Sequence, residues 1–267
     1  MSETHESALP VHVVGVGLWS PGFPDAPRFL AGEPDPEVKK PPCALVKSRM
    51  KRATSVLTRS AVEVTTQAIE AAGWPLDEVA TVFGSQHGEI QIAVEQMQMM
   101  QEGSGVVSPA RFKNSVHNTA AGLFSIAATN KRFTTAIAAG AHTFAMCLLE
   151  AWGLMLAGEA ERVVVTVGEE PLPAPITHFS PHRALALSFA LARDAAPERS
   201  LGLIGRPERG EGEATPVDAG FEGHTAAGGL RLLRALHGGH EGALALSPGW
   251  QLPMRAARAR AATGAAE

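Results

Sequence analysis

Asn118-Thr119-Ala120-Ala121-Gly122 opens a stretch that continues through Thr135-Ala136-Ile137-Ala138-Ala139-Gly140-Ala141 and closes on Gly158-Glu159-Ala160-Glu161-Arg162-Val163-Val164-Val165. Its spacing predicts a helix over 119–129, with Asn118 as the N-cap. Residues 133–139 read as a short apolar strand. Residues 141–157 read as a helix stopped by Gly158, and residues 162–167 as a second strand. Strand, helix and strand joined by short turns make a crossover unit, which lays its two strands parallel.

Working outward, residues 11–17 read as a buried strand that ends in glycine, and residues 19–48 as a proline-rich, charged loop. A helix is predicted over 54–72, ended by Gly73 and Pro75, and a strand over 79–83. A second helix over 88–101 places Ile90, Ala93, Val94, Met97 and Met100 on one face. Downstream come strands over 184–192 and 201–204, a loop over 205–222, a helix over 225–236 and a strand over 242–246. Strands alternating with helices imply an α/β layered fold, a mostly parallel mixed sheet with helices on both faces. At about 150 residues per domain, 267 residues make one large or two small domains. One unit over 1–267 is expected, with flexible tails at 1–10 and 252–267.

The net charge of −4 argues against a chain built to coat nucleic acid or an anionic membrane. With 45% apolar and 19% charged residues, wholesale disorder is excluded. Cys43 and Cys147 are too few for a disulfide scaffold or a four-cysteine zinc site. The opening residues lack a basic-then-apolar leader pattern, so a cytoplasmic location is expected. The apolar run over 133–156 is broken by His142 and Glu150, so a buried strand and helix explain it better than a membrane span.

No cofactor motif emerges. A phosphate loop is absent, and Gly15-Val16-Gly17 is followed by Ser20-Pro21 rather than by a helix. Gly84-Ser85-Gln86-His87-Gly88 reads as a structural turn. The histidines do not fall into a metal-ligating spacing, since Pro181 interrupts His178 and His182.

The opening stretch resembles the first half of β-ketoacyl synthases, in the thiolase-like superfamily. In that family a Ser-Pro loop, here Ser108-Pro109, precedes an Asn-x-Ala-Ala-Gly helix. A strand then leads to a nucleophilic cysteine at the start of a buried helix. Gly15-Val16-Gly17-Leu18-Trp19-Ser20-Pro21, Arg49-Met50-Lys51-Arg52 and Phe83-Gly84-Ser85 are similar to further family segments. The resemblance implies a thiolase-like fold with an abbreviated second half.

At the family's spacing, counting forward from Gly122 and back from Gly158 both end on Ala141. The nucleophile position therefore carries a methyl group, which forms no thioester. Cys147 lies about 240° around and ~9 Å further along the same helix, and is expected to be a packing residue. The family's first catalytic histidine has no counterpart. His224, in Gly223-His224-Thr225-Ala226-Ala227-Gly228, resembles the second; the alternative is an exposed histidine at a helix start.

The resemblance implies a chain-length-factor-like partner of an active β-ketoacyl synthase in type II fatty-acid or polyketide systems, including those of aryl polyene type. The substrate would arrive on acyl carrier protein. No catalytic residue is expected beyond a residual His224, and no metal or cofactor. The implied acyl pocket comprises Ile90, Val94, Met97, Met100, Gly140, Ala141 and His142, although methionine more commonly fills cores. The implied subunit interface is the strand carrying Thr135, Ala136, Ile137, Ala138 and Ala139; an ordinary buried strand is the alternative. Two other functions remain open at this point. One is a malonyl-thioester decarboxylase whose histidines hold the carbonyl oxygen, and the other is a carrier-protein-binding scaffold.

Overall fold

The valine-rich runs lie side by side in one sheet. The computed structural model describes residues 10–52, 54–102, 108–179, 183–218 and 220–257. Among them are β1 (Val11–Trp19), β2 (Ala80–Gly84), β3 (Thr134–Ile137), β4 (Arg162–Glu169), β5 (Leu185–Ala192), β6 (Gly202–Ile204), β7 (Glu208–Arg209), β8 (Gly242–Ser247) and β9 (Trp250–Ala256). The helices are α1 (Ala26–Ala31), α2 (Ser48–Lys51), α3 (Val56–Ala72), α4 (Ile90–Gln101), α5 (Pro109–Phe112), α6 (Thr119–Ala128), α7 (Thr143–Leu156) and α8 (Ala227–Gly238). The strand order is β3-β2-β4-β5-β1-β6-β9-β7, with β8 paired to β9.

The α/β layering is as the sequence implies, but the strand directions differ from the mostly parallel sheet expected. Only β2 with β3 and β2 with β4 run parallel. The other six ladders are antiparallel. The connections explain this. Helices join β2 to β3 and β3 to β4, and a helical crossover returns the chain in the same direction. Among the described residues no α-helix lies between β4 and β5, and the two strands run antiparallel.

Apolar side chains cover both faces. On one, Phe144 and Leu148 of α7 and Leu230 of α8 pack with Leu187 and Phe189 of β5. On the other, Ala61 and Ile69 of α3 and Phe124 of α6 pack with Val164 and Ala190. The glycines of β1 have a different purpose from the strand end expected of them, for β1 continues to Trp19. A Cβ on Gly15 would lie 2.2 Å from the Ala68 carbonyl oxygen, and one on Gly17 would lie 2.1 Å from that of Val64. The backbone of α3 thus rests on β1 at a distance only glycine permits.

Four local expectations are corrected. Residues 252–256 are not part of a flexible tail but belong to β9, because Gly249 at φ +71° turns β8 into a hairpin. The expected tails over 1–9 and 258–267 lie outside the described residues. The loop expected over 19–48 contains α1, whose N-terminus is capped by the Asp25 carboxylate accepting from the Arg28 N–H. The strand expected over 133–139 is confined to β3. Cys43, which its place in a proline-rich loop leads one to expect exposed, is fully buried, and desolvation raises its thiol to about 11.

Candidate functional site

The turn between β3 and α7 is fixed by one side chain. Gly140 takes φ +57°, and residues 140–142 form a single 3-10 turn that leads into α7. The Thr143 hydroxyl donates to the Gly140 carbonyl at 2.7 Å and accepts from the Ala139 N–H at 3.0 Å. Beneath it, Gly84 gives α7 its seat: a Cβ there would lie 2.5 Å from Cys147 Sγ. Cys147 is fully buried, and desolvation pushes its thiol well above the ordinary range. It is a packing residue, not a displaced nucleophile. Ala141 is exposed at the start of the turn. Next to it, His142 Nδ1 lies 2.9 Å from Ser247 Oγ at the end of β8.

His224 is held in another way. It is 3% exposed, its Nδ1 accepts the Ala226 N–H at 3.0 Å, and its Nε2 faces the Arg183 carbonyl at 3.3 Å. With both ring nitrogens engaged by the backbone, it is neither an exposed residue nor a donor ready for a substrate oxygen. His117 Nε2 is likewise held, 2.8 Å from the Ser85 carbonyl.

The helix carrying the methionines faces opposite to expectation. Its buried side is formed by Ile92 and Gln96, while Ile90 and Val94 are half-buried and Met97 and Met100 are exposed. The two methionines border an open groove of about 480 Å³ with Ala93, Gln96, Pro109 and Phe112. Gln96 is buried and both of its amide atoms lack partners. None of residues 140–142 borders this groove, so the implied pocket residues fall into two separate places.

A cluster of three buried glutamates was not anticipated. Glu169 ends β4, Glu170 follows it, and Glu89 lies in the loop after β2. Glu169 accepts from the Ser85 hydroxyl, the Gln86 N–H and the Thr225 hydroxyl. Glu170 accepts from the N–H groups of Leu57 and Gln91, in the first turns of α3 and α4. Glu89 accepts from the Thr58 hydroxyl. Desolvation raises all three, and the nearby Glu89 charge helps bring Glu170 to about 7. The sequence signal was two adjacent carboxylates directly after a run of buried valines.

The edge of the sheet completes the geometry. Among the described residues β3 pairs only with β2, and its other side is open. The carbonyls of Phe133 and Ile137 accept from Thr81 and Ser85 on the β2 side. In a parallel ladder alternate residues turn their backbone groups the other way, so Thr134, Ala136 and Ala138 present theirs outward. Ala136 packs toward the α3–α6 face and Ile137 toward the α7–α8 face.

A family model for the β-ketoacyl synthase N-terminal domain matches residues 29–248. The chain belongs to that family. A search of curated proteins finds no match.

Among solved structures, a chain of the complex of the ketosynthase ApeO with its chain length factor ApeC, from Xenorhabdus doucetiae, superposes with a TM-score of 0.69. It is 18% identical, over 92% of this chain and 99% of that one. The ishigamide ketosynthase/chain length factor gives a TM-score of 0.63 at 20% identity, over 85% and 73%. A type II polyketide synthase acyl carrier protein in complex with its hexaketide-bound ketosynthase gives 0.56 at 13% identity, over 76% and 70%. At these identities the likeness is one of fold. No described helix is long and apolar enough to cross a membrane.

Proposed function

We propose that this chain is a ketosynthase-like subunit without a condensing nucleophile. It acts as a chain-length-factor-like partner of an active β-ketoacyl synthase in type II fatty-acid or polyketide biosynthesis, of the aryl polyene kind. The observation that carries this reading is Ala141, an exposed methyl group on the turn between β3 and α7. The open side of β3 and the similarity in fold to ketosynthase–chain length factor complexes support a partner subunit. That partner supplies the cysteine and the histidines, and acyl carrier protein brings the growing chain. The groove at Met97 and Met100 contributes to the wall of the acyl tunnel once the partner closes it, since methionine adapts to long flexible chains.

The test is co-expression with the cognate ketosynthase. We expect a stable complex whose condensing activity disappears when the partner's nucleophile is changed and persists when Cys43 or Cys147 is changed to alanine here. A ketosynthase equally soluble and active without this chain, and yielding the same product length, would overturn the reading.

A further inference from the structure

Two serine–histidine pairs occur among the described residues, and they differ in one decisive respect. His12 Nδ1 lies 3.0 Å from Ser200 Oγ, but that hydroxyl donates its proton to the Gly202 carbonyl at 3.2 Å. Among the described residues Ser247 Oγ has no other hydrogen-bond partner beside His142 Nδ1, at 2.9 Å. In the tautomer that carries its proton on Nε2, His142 Nδ1 accepts from this hydroxyl. Ser247 is half-buried directly before the Pro248-Gly249 turn of the β8–β9 hairpin, and so sits on a rigid element. His142 is held in the 3-10 turn, and its backbone N–H donates to the Ala139 carbonyl at 3.0 Å.

We propose that Ser247 and His142 form a nucleophile–base pair that hydrolyses acyl thioesters. The pair lacks a carboxylate on the second ring nitrogen, so it activates serine weakly; a thioester carbonyl is electrophilic enough for such a nucleophile, whereas an amide is not. In the first half-reaction, Ser247 Oγ bonds to the carbonyl carbon while its proton passes to His142 Nδ1. The carbon–sulfur bond then breaks, and the departing thiolate takes that proton. In the second, water attacks the acyl-serine and gives its proton to His142, and the same proton returns to Ser247 Oγ as the acid leaves. Thioester and water become carboxylic acid and thiol, with no other reactant. The positive end of α7, in the same segment, favours the oxyanion formed in each half. This activity is independent of the proposed subunit role.

The full chain alone, incubated with a fluorophosphonate probe and mapped by peptide mass, is expected to carry one adduct, on Ser247. Hydrolysis of a butyryl thioester is expected to fall about 100-fold or more in Ser247→Ala and in His142→Gln. It should be unchanged in Ser200→Ala, which removes the other pair. Thermal unfolding of each variant separates loss of chemistry from loss of fold. An adduct elsewhere, no adduct, or a rate in folded Ser247→Ala equal to that of the unaltered chain would overturn the proposal.

Discussion

The two ends of the sheet are finished in opposite ways. At one end β7 has two residues, both charged, and they are already occupied. Arg209 lies over the Trp250 ring at 4.4 Å, and Glu208 accepts from the Gln251 amide at 2.8 Å. A short, charged edge strand resists addition of a further strand. At the other end β3 is uncharged, and its outward backbone groups are open. The chain that leads into it carries Met97, Met100, Phe112, Val116, Ile126 and Phe133, six of the nine large apolar side chains exposed among the described residues. Among the described residues the β7 edge is protected, and the β3 edge next to the Gly140-Ala141 turn is uncovered. Under the proposed subunit role, the open end is where a partner's strand would add.

The strongest way to break this comparison is to block each edge with proline. The Ala136 N–H faces away from β2, so Ala136→Pro removes a donor that its own sheet does not use. We expect the isolated chain to stay folded and its affinity for the ketosynthase to drop about 1,000-fold or more, read by co-purification and by calorimetry. Glu208→Pro at the other edge should leave the complex intact. Equal binding by both variants would remove the distinction between the edges.

The sequence made the β3 end legible and much of the other end illegible, for physical reasons. Crossover units carry their own signals: apolar runs, helical spacing, and Gly158 as a stop. They placed α6, α7 and β4 to within two residues. β9 was lost because Pro253 and Arg255 break an alternating pattern, although the hairpin sets its register. Strand direction was misjudged beyond β4, where direction depends on whether a helix intervenes. The outward face of α4 was misassigned because periodicity identifies an apolar stripe without saying what covers it. The glutamate cluster was missed because Glu89 is far in sequence from Glu169 and Glu170 and comes near them only where β2 and β4 end side by side.

That cluster gives the second test, and it belongs to the same side of the molecule. A carboxyl raised by folding binds its proton more tightly in the native state than in the unfolded one. Its contribution is therefore complete below the ordinary value of 4.5 and is lost as pH rises through the folded value, about 7 for Glu170. Stability should fall between those limits, with Glu170 accounting for on the order of 3 kcal/mol. Denaturant titrations of the chain and of Glu170→Gln across this range would show it. A slope as steep in the variant as in the unaltered chain would place the pH dependence elsewhere.

A third test compares how tightly the two ends are packed. Gly84→Ala drives a methyl group against Cys147 Sγ and, at 2.9 Å, the Thr143 side chain. It should cost about 1–3 kcal/mol. Cys147→Ala in the same chain should recover part of this, a coupling that a double-mutant cycle measures. Gly205→Ala, beside β9, meets Pro253 Cβ at 3.2 Å and should cost less than about 1 kcal/mol. Equal losses would mean that the seat of α7 is no more constrained than the opposite end.

The smallest expected effect is the most instructive. Ala141→Cys restores the missing thiol at an exposed position on the turn, with the start of α7 to favour a thiolate. If a nucleophile were all that separates this chain from a condensing ketosynthase, the variant alone would form carbon–carbon bonds. We expect it to become acylated and go no further. Condensation also requires donors that hold the oxygen of a malonyl thioester while carbon dioxide leaves. Here the backbone engages both nitrogens of His224, and His117 is turned to the Ser85 carbonyl. The other histidine that the family resemblance implies has no counterpart in the sequence. Intact mass after incubation with an acyl thioester reports acylation, and product analysis with malonyl-loaded acyl carrier protein reports condensation. Turnover by Ala141→Cys without a partner would show that a histidine can leave its backbone contacts and act. The closed β7 edge and the open β3 edge would then belong to a complete enzyme that had lost one side chain, not to a subunit built to pair.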